Sequence, residues 1–206
     1  MKKLRSTWYN MACVLTGISL VAGVALASVN KMTTDTIQEL NEKREQAAIA
    51  QVLGGGKVKV EKVDTIAIND NNFIVMNAGK KGVAVKAVDP QNASFGGGLT
   101  IMVGISPAGK VLGYSVLETH ETPGLGAKAA QWFQKGEKGD IIGRNLKEKE
   151  LVVSKDGGDV DAITASTITS RAFLRAVNAA YKAYCQTQQD APEADGVSGA
   201  SQKHNQ

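Results

Sequence analysis

The chain has 206 residues, 43% of them hydrophobic and 21% charged, which is the composition of a folded globular protein and excludes a mainly disordered one. Its 24 basic residues are nearly balanced by 20 acidic ones, so the small net charge of +4 disfavours nucleic-acid binding. Two cysteines and two histidines are too few for a disulfide framework or a metal centre, and we expect an imported cofactor to supply any chemistry.

The N-terminal 30 residues predict a membrane anchor. Three basic residues among the first five precede Trp8 and Tyr9, and an uncharged stretch follows at 11–29. A helix needs about 20 apolar residues to cross a lipid bilayer, and basic residues before it stay in the cytoplasm. We therefore expect residues 1–30 to be a cytoplasmic tip and transmembrane anchor. A cleaved signal peptide is the alternative, because Ala-Leu-Ala at 25–27 is similar to a cleavage site, but the apolar stretch is longer than a typical signal core.

The rest of the chain divides into three parts. Residues 31–56 predict a juxtamembrane helix, which lacks Gly and Pro until the Gly-Gly-Gly run at 54–56 ends it. Residues 57–186 are the expected folded domain. Residues 187–206 are polar and aromatic-free, and they predict a disordered tail.

The expected domain is α+β, with a mainly antiparallel sheet packed with helices. Its strands are predicted from short runs rich in Val and Ile, at 58–63, 73–76, 83–88, 99–105 and 111–117. The last two runs predict a hairpin around the turn Ser-Pro-Ala-Gly. The remaining predicted elements are a helical patch at 127–135, a strand at 151–154 and a long helix at about 167–186.

The segment 118–128, which follows the hairpin, is one of two segments whose residues suggest ligand binding as well as a structural role. Glycines on both sides of Leu125 let the backbone approach a flat or anionic ligand closely. Glu121 and Thr122 add polar groups, and Lys128 adds a positive charge. An ordinary strand-to-helix turn accounts for the same residues equally well.

The second segment is a hydroxyl-rich run that leads into the long predicted helix. In the simplest interpretation, Thr164, Ser166 or Thr167 is an ordinary N-cap. The amides and the dipole of a helix N-terminus also favour phosphate, so the same hydroxyls are candidates for a phosphate site. Arg171 and Lys155 are near enough in sequence to neutralise a phosphodiester, although a solvated side chain is the more common fate of both.

The two segments together resemble the membrane-anchored FMN-binding domains of bacterial respiratory complexes. The first reads Glu-Thr-Pro-Gly-Leu-Gly at 121–126, and the second reads Asp-x-x-Thr-x-x-Thr at 161–167. Phe-Gly-Gly-Gly at 95–98 is similar to the Gly-Gly element that opens the family's central hairpin. The resemblance is to the G subunits of Rnf electron-transport complexes, whose near relative is the C subunit of the sodium-translocating NADH:quinone reductase. It covers the N-terminal helix and about residues 95–184.

The resemblance implies that FMN is attached covalently, through a phosphoester, to the last threonine of the second motif, Thr167. A dedicated flavin transferase takes the FMN moiety from FAD with a divalent metal, so Thr167 is an acceptor and no catalytic residue is expected. Asp161 and Thr164 fall on positions that the transferase reads. The implied cofactor-binding residues are Thr167, Ser166, Thr164, Ile168 and Ser170 in the second segment, and Glu121, Thr122, Gly124 and Leu125 in the first.

One residue departs from the family pattern. The family has glycine where this chain has Ala165, and an alanine adopts a positive φ only with strain. Ser166 is a second hydroxyl beside the acceptor, but the spacing of the motif assigns the flavin to Thr167. We expect flavinylation to survive the change.

The implied function is electron relay. The chain would be a single-pass protein of the bacterial inner membrane, whose extracytoplasmic domain passes electrons through FMN between the other membrane subunits. The complex would couple ferredoxin and NAD redox chemistry to Na⁺ or H⁺ translocation, although the uncharged helix has no carboxylate with which to carry an ion itself. The alternatives are the C subunit of the quinone reductase, a free-standing anchored flavoprotein reductase and a cofactor-free anchored module.

Overall fold

The computed structural model describes residues 8–56, 58–68 and 71–189. The basic residues of the predicted cytoplasmic tip and the predicted tail from 190 onwards lie outside the described residues. The helices and strands are α1 (Trp8–Val52), β1 (Lys62–Ile68), β2 (Asn71–Asn77), β3 (Val83–Val88), β4 (Thr100–Ile105), β5 (Val111–Glu118), α2 (Ala129–Trp132) and α3 (Thr167–Gln189). Short 3₁₀ turns lie at Gly79–Lys81, Gly126–Lys128 and Ser154–Asp156. The chain divides into two units between Gln46 and Ala47.

The first unit contains most of α1, an unbroken helix that begins at Trp8 in the described chain. This helix is long and apolar enough to cross a membrane, and its most apolar window is not buried by any described residue. Large apolar side chains are exposed densely along it from Trp8 to Met32, as expected of a helix that contacts lipid, and more sparsely at Ile37 and Leu40. The predicted membrane span and juxtamembrane helix are one continuous helix, which ends at Val52 just before the glycine run at 54–56.

The second unit is built on a five-stranded antiparallel sheet in which each strand pairs with the next along the chain. This confirms the predicted α+β class. Strand β3 has the predicted bounds, and β2, β4 and β5 lie within two residues of theirs. The predicted turn joins β4 to β5, and the Gly109 N–H donates to the Ser106 carbonyl oxygen at 2.9 Å.

The first predicted strand, at 58–63, was wrong in its position. Strand β1 begins at Lys62, where pairing with Asn77 of β2 starts. Val58 and Val60 are half-buried and pack against an apolar cluster that includes Val52 of α1. Their apolar character therefore reflects side-chain packing and not strand pairing.

The predicted strand at 151–154 was also wrong. Within it, only Val153 forms an isolated bridge, to Val160. The backbone N–H and carbonyl groups of Leu151 instead bond to the side-chain amide of Asn178 on α3, at 3.0 and 2.9 Å. An asparagine side chain thus takes the place of a neighbouring strand. The long helix was predicted correctly but extends to Gln189, so the first three residues of the predicted tail are helical.

One face of the sheet is buried against α3. Inward-facing residues of the central strands, such as Val103, share a buried cluster with Phe173 of α3. The Phe173 ring stacks on Phe133, with ring centroids 4.4 Å apart, and the Tyr114 ring meets it edge-on at 4.8 Å. This cluster fixes the position of α3, whose first residue is Thr167.

The opposite face of the sheet is covered by the last turn of α1. Met102 of β4 lies in a second buried cluster with Ile49 and Val52. Gly104 and Gly113 are paired across β4 and β5, and a Cβ at Gly104 would collide with the Val52 carbonyl oxygen. Gly104 is required here because the helix backbone lies directly on the strand backbone, and a Cβ at Gly113 would be tightly packed, 3.3 Å from Val52.

Candidate functional site

The two segments singled out in the sequence line one pocket of about 330 Å³. Its lining residues come from three separate parts of the chain: Phe95, Glu121, Thr122, Leu125, Gly126, Ala165, Ser166, Thr167, Ile168 and Thr169. This volume lies at the small end of the usual range for ligand sites. The sheet and α3 thus bring together two motifs that lie about forty residues apart.

The first turn of α3 distinguishes two neighbouring hydroxyls. Ser166 is buried directly before the helix, and its Oγ donates to Thr169 Oγ1 at 2.9 Å. Ser170 is fully buried, and its Oγ donates to the Ser166 carbonyl oxygen and accepts from the Ile163 N–H. Ser166 and Ser170 therefore use their hydroxyls inside the protein. Ser170, predicted as a cofactor contact, does not line the pocket.

Thr167 lines the pocket and is only half-buried. Its Oγ1 accepts a hydrogen bond of 3.2 Å from Nζ of Lys155, whose side chain is exposed, as expected from the sequence, but also reaches the hydroxyl. Arg171 forms two hydrogen bonds of 2.6 Å to Asp156 and lowers the pKa of that carboxyl. The Arg171 charge is thus already paired with a carboxylate of the protein, which is neither of the two fates considered from the sequence.

The turn before α3 carries the predicted backbone strain. Ala165 has a φ of +60°, a conformation that glycine adopts freely and that costs a residue with a Cβ about 1–2 kcal/mol. Thr164 beside it is exposed and does not line the pocket. The Asp161 carboxylate accepts from Ser154 Oγ at 3.4 Å, which links this turn to the one that carries Lys155.

The 121–126 segment packs closely against the start of α3. The Glu121 side chain is 7% exposed, and its Oε1 accepts from the Gly96 N–H at 3.3 Å. A Cβ at Gly126 would collide with Glu121 Oε2 and lie 2.8 Å from Thr169 Oγ1. Gly126 therefore allows close packing within the protein, whereas Gly124 has a φ of +79° in open space and lies outside the pocket lining.

Four pocket residues were not among the predicted cofactor contacts: Gly126, Ala165, Thr169 and the aromatic Phe95. Phe95 is 73% exposed at the pocket, beside Leu125 and Ile168, which are 42% and 49% exposed. A cluster of exposed apolar side chains from three segments is typical of a ligand or partner site. The sequence signal that could have identified Phe95 is its position directly before three glycines. A Cβ at Gly96 would collide with the His120 carbonyl oxygen, so this loop needs glycine to reach the pocket.

The chemistry of the pocket fits a flat aromatic ring that carries a phosphate. Three apolar side chains offer surface to a ring, and the Thr167 hydroxyl offers a polar contact to a phosphate. Lys155 lies outside the pocket lining, but its ammonium group is 3.2 Å from that hydroxyl. His120 is exposed outside the pocket lining, with Nε2 3.9 Å from Glu118 Oε1. The site therefore fits both parts of a flavin nucleotide, the ring system and the phosphate.

Comparison with known proteins gives the same cofactor. The FMN-binding domain family matches residues 94–182, a range that contains all three pocket segments. The chain is 30% identical to the G subunit of the Na⁺-translocating ferredoxin:NAD⁺ oxidoreductase complex of Acetobacterium woodii, over 89% of this chain and 96% of that protein. It is 31% identical to the G subunit of the ion-translocating oxidoreductase complex of Shewanella baltica, over 77% and 81% of the two chains. The corresponding Salmonella typhimurium protein is 34% identical over 75% and 80%.

Proposed function

This chain belongs to the family of G subunits of ion-translocating oxidoreductase complexes, and we propose that it relays electrons through FMN as a membrane-anchored member of such a complex. The Acetobacterium woodii relative is named as part of a Na⁺-translocating ferredoxin:NAD⁺ oxidoreductase. By extension, the complex of this chain couples ferredoxin and NAD redox chemistry to Na⁺ or H⁺ translocation. The names of these relatives favour the G subunit over the C subunit of the quinone reductase.

The FMN cofactor supplies one-electron and two-electron transfer when it is bound. In this proposal, Phe95, Leu125 and Ile168 bind its apolar ring system and exclude water from it. The buried Glu121 holds the Phe95 loop in place through the Gly96 N–H. The contribution of the chain is therefore to position the ring and to set its environment.

Covalent attachment to Thr167 is supported by the geometry of the neighbouring hydroxyls. Ser166 and Thr167 both line the pocket, but Ser166 is buried and its Oγ donates to Thr169. Thr167 is half-buried, and its hydroxyl accepts from Lys155 and keeps its own proton available for donation. A flavin transferase that takes the FMN moiety from FAD would use this hydroxyl as the acceptor. A phosphoester tether retains the cofactor outside the cytoplasm, where a lost FMN could not be replaced.

The proposed location is the inner membrane, with the flavin domain on its extracytoplasmic side. Helix α1 supplies the length and apolar surface of a single span. The three basic residues among the first five favour a cytoplasmic N-terminus, which places everything after the span on the other side. The partners are then the other membrane subunits of the complex, the lipid bilayer and, during maturation, the flavin transferase.

The observation that carries this proposal is the Thr167 hydroxyl in an apolar pocket lined by both motifs. It is tested by expressing the full chain with its flavin transferase and measuring intact mass and in-gel flavin fluorescence after denaturation. The wild type and Thr167→Ser gain the mass of FMN minus water, and Thr167→Ala does not. An adduct that persists in Thr167→Ala would contradict the site, and a wild type without flavin would contradict the flavoprotein function.

A further inference from the structure

Lys155 is held beside Thr167 by two contacts between separate parts of the chain. It lies in the 3₁₀ turn Ser154–Asp156, and its Nζ is 3.2 Å from Thr167 Oγ1. The next residue, Asp156, accepts hydrogen bonds from Nε and Nη2 of Arg171, four residues after Thr167 on α3. The Asp156–Arg171 pair therefore fastens the turn to the first turn of the helix.

The two positively charged groups near Thr167 differ in whether a carboxylate neutralises them. Arg171 is neutralised by Asp156, whereas no carboxylate among the described residues lies within ion-pair distance of the Lys155 ammonium. Asp156 is close enough for the Lys155 charge to help lower its pKa, after the larger effect of the Arg171 hydrogen bond. Asp161 on the other side of the turn is engaged by Ser154 Oγ. Lys155 thus places a positive charge directly on the hydroxyl oxygen of Thr167.

From this geometry we infer that Lys155 is a positioning residue for flavin transfer, which orients the Thr167 hydroxyl and neutralises the phosphate that becomes attached there. The inference rests on the proposed attachment at Thr167. In the transfer, a bond forms between Thr167 Oγ1 and the FMN phosphorus of FAD. The phosphorus–oxygen bond to AMP breaks, AMP leaves with that oxygen and its electron pair, and the Thr167 proton passes to a base of the transferase.

The hydrogen bond from Lys155 is compatible with each part of that reaction. A hydroxyl has two lone pairs and one proton, and Lys155 occupies only one lone pair. The second lone pair is left for attack and the proton for removal. A fixed ammonium group also stabilises negative charge as it develops on the oxygen, and afterwards faces the single negative charge of the phosphodiester.

The inference is tested by the initial rate at which purified full-length chain is flavinylated by the transferase with FAD and Mg²⁺, followed by intact mass. Lys155→Ala lowers kcat by about ten-fold, as expected for the loss of a charge-assisted hydrogen bond, with little change in KM for FAD. Lys155→Arg restores most of the rate, because it returns a cation to the same turn. Lys138→Ala removes an equal charge from another exposed lysine, which has no hydrogen bond to Thr167, and it keeps the wild-type rate.

The thermal midpoint of each variant separates positioning from folding. Lys155 is exposed, so Lys155→Ala keeps the midpoint of the wild type within about 2 °C. A wild-type rate in Lys155→Ala would overturn the inference and leave the attachment at Thr167 standing. Equal losses in Lys155→Ala and Lys155→Arg would also overturn it, because charge would then not be the reason. A wild type that accepts no flavin would overturn the proposed function and this inference together.

Discussion

Ser166 Oγ donates to Thr169 Oγ1 at 2.9 Å, so the residue directly before the proposed flavin acceptor is bonded into the first turn of α3. Both hydroxyls are buried. Ser166→Ala therefore lowers the free energy of unfolding by about 1 kcal/mol, the usual value of one such hydrogen bond or cap. The change is measured by urea denaturation of the unflavinylated chain.

The same variant keeps its covalent flavin, because Thr167 is unchanged. Intact mass after co-expression with the transferase checks this. Thr164→Ala is the matched stability control, since its side chain is exposed in the preceding turn, and it changes the unfolding free energy by less than about 0.5 kcal/mol. A Ser166→Ala chain as stable as the wild type would contradict the structural role given to Ser166.

Ala165 is the strained residue of the same turn, with a φ of +60°. Ala165→Gly removes the strain but makes the unfolded chain more flexible. The strain of a Cβ in this region, about 1–2 kcal/mol, exceeds the entropy term, so the variant is more stable by about 0.5–1 kcal/mol. Urea denaturation measures the difference.

Ala108→Gly is the control for the conformational entropy that a new glycine adds to the unfolded chain. It lies in the exposed β4–β5 turn and does not have a positive φ. The same substitution there leaves stability unchanged or lowers it. If Ala165→Gly proved no more stable than Ala108→Gly, the strain assigned to Ala165 would be absent in solution.

The strain at Ala165 is a case in which the sequence predicted local geometry. The family pattern has glycine at this position, and a positive φ is the physical reason for a glycine in such a turn. The identity of the acceptor threonine, which stays a prediction, was implied by the resemblance of the second segment to the family motif. Both predictions depend on short-range chemistry, which is encoded within a few consecutive residues.

The predictions that failed depend on long-range contacts. Leu151 lies in an apolar run that is typical of a strand, but Asn178 binds its backbone from α3, 27 residues later. The role of Phe95 could not be assigned because an isolated aromatic residue gives no periodic signal. Only the approach of its glycine loop to the 121–126 segment places it at the pocket.

Asp89 and Arg175 form an ion pair between the residue after β3 and the middle of α3. Two hydrogen bonds of 2.9 and 2.8 Å join them, and the Asp89 side chain is 1% exposed. Burial raises the pKa of Asp89, but hydrogen bonds from Arg175 and from the backbone N–H groups of Ala93 and Gln91 outweigh burial and hold the pKa below 3.8. Asp89→Asn lowers the unfolding free energy at pH 7 by about 3 kcal/mol, because it leaves a partly buried guanidinium without its charge partner.

The pH dependence follows from the lowered pKa of Asp89. Because the folded-state pKa is below the unfolded value of about 3.9, the stabilisation is present above pH 4 and is lost as the pH falls through the folded-state pKa. The difference in stability between the wild type and Asp89→Asn therefore shrinks below pH 4. Asp159→Asn, at a half-exposed pair with Arg144, is the control and changes stability by less than about 1 kcal/mol. A difference that stays constant from pH 7 to pH 3 would contradict the contribution assigned to Asp89.

Phe95 is expected to shield the flavin ring from solvent. It is the most exposed of the three apolar residues at the pocket, and a free side chain of this size covers a large area of an aromatic ligand. In flavinylated Phe95→Ala, iodide therefore quenches the flavin fluorescence with a larger Stern–Volmer constant than in the wild type. Val63→Ala, which truncates another exposed apolar side chain on β1 away from the pocket, leaves the constant unchanged. Because both variants keep Thr167, both carry the same flavin mass, so unequal loading does not explain a difference. Equal quenching in Phe95→Ala and the wild type would show that Phe95 does not cover the ring.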